Sequence, residues 1–137
     1  MKKVVVIDGQ GGRFGQVFIE RIVKAQLQCE LIAIGTNAIA TTAMLKAGAH
    51  MGATGENPVV VATRTADIIV GPIGIIAADA LLGEVTPAMA AAVAQSNAKK
   101  LLLPVNLCSI IVAGTQTLSL NKIMDDALSA LTQILEA

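Results

Sequence analysis

The sequence predicts a three-layer α/β fold around a mostly parallel sheet. Short, unbroken apolar runs rich in aliphatic residues recur along the chain, as expected of strands buried on both faces. Amphipathic or alanine-rich stretches of helical length alternate with them. Several junctions between the two carry glycine clusters, the usual punctuation of a strand-to-helix turn.

Val4-Val5-Val6-Ile7 reads as the first strand and ends in Asp8-Gly9-Gln10-Gly11-Gly12-Arg13-Phe14-Gly15. A helix then runs to about Leu27, with Phe14, Val17, Phe18, Ile22 and Ala25 on one side. Leu31–Ile34 is a second strand, Gly35-Thr36-Asn37 its exit, and Ala38–Ala47 a helix stopped by Gly48. Ala49 to Pro58 is glycine-rich and reads as a long connection. Val59–Ala62 and Asp67–Val70 read as the next two strands, separated by Thr63-Arg64-Thr65-Ala66. Neighbouring parallel strands need a crossover of about a dozen residues or more. The pair is therefore either an antiparallel edge hairpin or two parallel strands that are not neighbours. The hairpin would bring Gly52–Asn57 to the same end of the sheet as Gly9–Gly15.

Gly71-Pro72-Ile73-Gly74 leads into a helix expected to reach about Leu82, with Gly83 as its stop. Thr86-Pro87 has the N-cap and first-turn pattern of another helix, running to about Asn97. Leu101–Leu103 and Ser109–Ala113 complete five or six strands, and a helix from about Leu120 carries Leu120, Met124, Ala127, Leu131 and Ile134 as a stripe for the core, for an oligomer seam, or for both. The whole chain, residues 1–137, is read as one Rossmann-like α/β domain.

Composition narrows the function. Ten basic and ten acidic residues cancel, and there are two Phe and no Trp or Tyr. Nucleic-acid binding, which draws on basic excess and stacking platforms, is not expected. Mean hydropathy is high at +0.69. Yet the longest uncharged stretch, Leu101–Asn121, is broken by Pro104, Asn106, Ser109 and Thr115, so no membrane span is expected. Cys29 and Cys108 have neither disulfide-framework nor metal spacing, and a cytoplasmic location follows as the expectation. Charged residues are only 15% of the chain, sparse cover for the roughly 6,700 Å² surface of a monomer of this mass. A homo-oligomer, a dimer or higher, is therefore expected.

The first glycine-rich turn carries the strongest chemical signal. A strand, a glycine turn and a helix start aim main-chain N–H groups and a helix dipole at one point, which suits phosphate. The spacing Gly9-x-x-Gly12-x-x-Gly15, with Gly11 added, is neither the dinucleotide fingerprint nor a P-loop. Gln10 lies within this turn, and Gly12→Asp is expected to abolish binding with the fold intact. Asp8 could serve as a metal or ribose ligand, in catalysis, or as a cap on backbone amides. Arg13 opposes the helix dipole, which makes sense beside a bound anion. The second strand ends without the acid that holds ribose in dinucleotide enzymes, so ordinary NAD binding is weakly supported. Thr36 and Asn37 stand there instead, as polar ligands or a helix cap.

Gly71, Pro72 and Gly74, with Asn106, fall at the same carboxyl end of the strands. Under the hairpin arrangement Glu56 and Asn57 join them, and Glu56 becomes the candidate general acid or base. His50 has no ligand or catalytic companion at useful spacing, and no metal site is expected.

These segments carry a resemblance. Asp8-Gly9-Gln10-Gly11-Gly12, Gly35-Thr36-Asn37-Ala38, Met44–Ala49, Gly52–Asn57, Gly71–Ile75 and Gly83-Glu84-Val85-Thr86-Pro87 resemble the pattern of a bacterial family catalogued as domain of unknown function 3842. That pattern has a third glycine after Gly12 where this chain has Arg13. The resemblance spans the chain and implies that the polar loop residues are a signature beyond what the fold needs, without implying an activity. Two functions stay open. One is a protein, enzyme or not, that binds a nucleotide or dinucleotide or another small phosphorylated ligand. The other is a non-catalytic oligomeric module, structural or sensory, whose glycines only form tight turns. A Gly52–Asn57 loop at the opposite end of the sheet would favour the second.

Overall fold

The computed structural model describes residues 1–105 and 109–137. Five parallel strands, β1 (Lys3–Asp8), β2 (Glu30–Gly35), β3 (Met51–Thr54), β4 (Ile68–Pro72) and β5 (Lys99–Leu103), form one sheet in the order β3-β2-β1-β4-β5. The helices are α1 (Arg13–Lys24), α2 (Ala38–Ala47), α3 (Glu56–Thr65), α4 (Pro87–Gln95) and α5 (Leu120–Glu136). A short 3₁₀ turn, Ile73–Ile76, follows β4. The result is a three-layer, Rossmann-like α/β fold.

Alternation along β1 divides the core. Val4 and Val6 pack with Phe14, Phe18 and Ile22 of α1, Met44 of α2 and Met124 and Leu131 of α5. Val5 and Ile7 face the other way, toward Val59 of α3 and Met89 and Val93 of α4. The strand order reverses between β1 and β4, and in open α/β sheets ligands bind outside the carboxyl ends at such a point. The exposed surface is 6913 Å², close to the scaling value for a monomer. No helix among the described residues is long and apolar enough to cross a membrane.

Four expected elements differ. Val59–Ala62 is not a strand but part of α3, so the antiparallel hairpin does not exist. Its β-branched residues are outweighed by tertiary packing: Val59 and Thr63, one helical turn apart, are both buried. Glu56 in the first turn suits the helix dipole, and Pro58 is tolerated there. The stretch read as connection contains β3, which pairs with β2 from Ile32↔Met51 to Gly35↔Thr54. The helix expected to reach Leu82 stops at the 3₁₀ turn. Asp79, Leu81 and Leu82 beyond it have positive φ, which an α-helix cannot include. Ser109–Ala113 contains no strand.

Candidate functional site

Asp8 is the root of the first loop. Its carboxylate is 2% exposed and accepts the Gly9 N–H at Oδ1 and the Gly15 N–H at Oδ2, each at 2.8 Å. Burial pushes its pKa up. The two main-chain hydrogen bonds oppose that shift, and the Glu84 charge adds to it. Asp8 thus occupies one of the helix-start amides that would otherwise meet a ligand.

Most glycines here are explained by close packing. A Cβ on Gly9 would lie 2.6 Å from Thr36 Oγ1, one on Gly12 2.6 Å from the Ala40 Cα, and one on Gly15 2.5 Å from the Met44 Sδ. Gly12 also has φ +71°, a left-handed conformation. Gly12→Asp would therefore disrupt the fold, contrary to the expectation that it leaves it intact. A Cβ on Gly71 would lie 2.6 Å from the Ile7 carbonyl oxygen, and Pro72 and Gly74 are buried. Gly11 differs from all of these. It is exposed, its φ lies outside the left-handed range, and nothing is within 4 Å of a Cβ placed on it.

Glu84 joins three loops, and sequence reasoning assigned it no role. Its Oε1 accepts from the Gln10 main-chain N–H at 2.8 Å, Thr36 Oγ1 at 2.7 Å and Asn37 Nδ2 at 2.8 Å. Partial burial raises its pKa, but the hydrogen bonds from Thr36, Gln10 and Asn37 outweigh it and hold the carboxyl below its ordinary value. An acid does stand at the end of β2, delivered from the connection between β4 and α4. The available signal was the Gly83–Pro87 segment of the family pattern. Asn37 also caps α2 by accepting the Ala40 N–H at 2.9 Å, and donates to the Gln10 carbonyl.

Gly55 and Glu56 follow β3 and so lie at the carboxyl edge with the first loop, although no hairpin puts them there. Glu56 Oε1 accepts from Thr86 Oγ1 at 2.6 Å, and Asn57 is exposed beside it in the first turn of α3. Arg13 lies on the other flank of the first loop. It is exposed and lines a cleft of about 170 Å³ with Phe14, Val17, Val105, Leu120 and Met124. Asn106 lies outside the described residues. His50 sits at the opposite edge, where its Nδ1 accepts the Leu31 N–H at 3.0 Å. No cluster of three metal-ligating side chains occurs among the described residues.

No curated protein and no solved structure matches the chain. A family model described as "Domain of unknown function (DUF3842)" matches residues 3–136, nearly the full length, and the protein belongs to that family.

Proposed function

We propose that the protein binds a nucleotide or other small phosphorylated ligand over the tip of the first loop. Gly11 carries this reading. Glycine destabilises a chain unless a conformation or a close approach requires it, and neither the backbone nor any neighbour requires it at Gly11. Close approach of a ligand supplies the missing reason. Arg13 and Phe14 occupy the first two positions of α1, where main-chain N–H groups have no intrahelical acceptor and the dipole favours an anion. The Arg13 guanidinium adds a cation beside them.

The flanks suit the rest of such a ligand. Glu84 accepts its three hydrogen bonds through Oε1, so Oε2 can accept from a sugar hydroxyl. The cleft beside Arg13 is smaller than the roughly 300–1,000 Å³ of sites for drug-sized ligands, and gives apolar cover to one ring. The reading of these loops as tight turns alone is favoured at Gly9, Gly12, Gly15 and Gly71, where packing accounts for the glycine.

A thermal-shift series with ADP, NAD, a sugar phosphate and inorganic phosphate tests the proposal. A ligand at about a hundred times its Kd adds close to 2.7 kcal/mol of stability. Gly11→Ala is expected to leave the unliganded melting temperature unchanged or slightly raised, and to abolish the ligand response. The proposal fails if no phosphorylated compound stabilises the protein, or if Gly11→Ala responds like the wild type.

A further inference from the structure

Glu84 joins the first loop to the exit of β2 through one oxygen only. The Gln10 N–H, Thr36 Oγ1 and Asn37 Nδ2 all donate to Oε1. Among the described residues no group donates to Oε2, and that atom is not sealed from solvent. An amide oxygen in its place would accept the same three bonds, more weakly. What glutamine would not supply is the second acceptor and the charge. The hydrogen bonds keep the carboxyl below its ordinary pKa, so it is ionised at neutral pH. It belongs to neither ion pair of the described residues.

Position gives the free oxygen its use. In dinucleotide-binding sheets an acid at the end of the second strand accepts from ribose hydroxyls, and the phosphates lie at the start of the first helix. Here the acid comes from the connection between β4 and α4. Its carboxylate nevertheless stands against Thr36 and Asn37, the two residues that follow β2. It also holds Gln10, and Arg13 at the start of α1 is three residues further on, at most about 10 Å along the main chain. A ribose and the phosphates on its 5′ carbon fit between an acceptor and a cation set that far apart. The two ends differ in charge. Arg13 is at one, and Glu84 is at the other, where its charge also reaches the buried Asp8. A hydroxyl donor suits the acidic end, whereas a second anionic group there would meet like charge.

We propose that the ligand of the first loop is a ribonucleotide, and that Glu84 selects it by accepting from the ribose 2′-hydroxyl at Oε2. The inference rests on the reading of the first loop as a phosphate site, and adds which phosphorylated compounds that site prefers.

Titration calorimetry with ADP, GDP and UDP and with their 2′-deoxy forms tests it. The wild type is expected to bind at least one ribonucleotide about tenfold tighter than its deoxy form, the loss that follows from one missing hydrogen bond to a charged group. Glu84→Gln is expected to remove most of that preference by weakening the ribonucleotide, with the deoxy form held within about threefold of its wild-type affinity. Circular dichroism and thermal melts establish that the variant folds, and the wild-type comparison does not depend on it. Equal binding of both sugars by the wild type overturns the inference and leaves the phosphate site standing. Binding of inorganic phosphate or a sugar phosphate, with none of the nucleotides, has the same consequence. An equal loss of both sugars in Glu84→Gln makes Glu84 a tie between loops and overturns its selecting role. Where no phosphorylated compound binds at all, the phosphate site and this inference fall together.

Discussion

The loop after β1 and the loop after β4 both reach the carboxyl edge of the sheet, yet they reach it by opposite means. The first, Gly9–Gly12, has two left-handed positions: glycine fills one, Gly12, while at the other the Gln10 N–H is held by Glu84, and Asp8 fastens the loop from beneath. The second, Ile73–Thr86, puts Asp79, Leu81 and Leu82 at positive φ, where side chains are disfavoured. What holds it is tertiary. Leu81 is 2% exposed in the core, the Asp79 N–H donates to the Val85 carbonyl at 2.7 Å, and Glu84 grips the first two loops. Shape follows from residue type at Gly12, and from contacts at Gln10 and through most of the second loop. Strain held by contacts is common where a side chain must be delivered to a site, and here the delivered side chain is Glu84.

The first loop is accordingly less forgiving of a side chain at Gly12. Gly12→Ala is expected to have the largest effect. It places a Cβ in a left-handed conformation, costing about 1 kcal/mol. It also drives that Cβ into the backbone of α2 at Ala40, where overpacking costs about 1–3 kcal/mol more. A fall in melting temperature of about 10 °C follows, checked by calorimetry. A shift of only a degree or two would mean that α2 can retreat from the loop and that the first loop is not locally fixed.

Glu84 tests the second loop through pH. Its folded pKa is held below the ordinary 4.5, so its contribution to stability is present above that value and is lost as pH falls through the lower folded value. Asp8 has the opposite sign. Burial raises its pKa, so the stability linked to it is full below the ordinary 3.8 and is lost as pH rises through the folded value. Glu84→Gln keeps an oxygen acceptor but loses the charge, and is expected to cost about 1 kcal/mol at neutral pH. Urea unfolding at pH 7 and at pH 3.5 should show the gap to wild type closing in acid. A gap that stays constant would show that the carboxylate charge does not hold the loops together.

The same contrast explains what could be read from the sequence. The strand–glycine–helix run from Val4 to Phe18 is legible because its determinants are local: an apolar run, glycines and helical spacing. The Thr86-Pro87 helix start is legible for the same reason, and Thr86 does accept the Met89 N–H at 3.1 Å. Glu84 is not, because three of the four left-handed positions of its turn hold two leucines and an aspartate, and Gly83 alone does not signal the shape. The edge strand β3 was missed because Met51-Gly52-Ala53-Thr54 has weak strand propensity and is recruited by pairing with β2. Val59-Val60-Val61 misled in the other direction. Three β-branched residues suggest a strand, but the buried spacing of Val59 and Thr63 belongs to a helix. Position at the carboxyl edge was still correct for Glu56, because a parallel β3 delivers it there as the expected hairpin would have done.

The smallest expected effect has the opposite sign to that of Gly12→Ala. Leu82 has φ +56° and is 96% exposed, so its side chain contributes almost no apolar burial to offset the backbone cost. Glycine at this position removes about 1 kcal/mol of left-handed strain. It returns about 0.5–1 kcal/mol through the greater freedom of the unfolded chain. The balance is a stabilisation of a few tenths of a kcal/mol at most, so Leu82→Gly should hold or raise the melting temperature by about 1–2 °C. A loss of more than about 1 kcal/mol would mean that the Leu82 side chain has a partner. The second loop would then owe its shape to a contact beyond the single chain, and the contrast between the two loops would have to be redrawn around it.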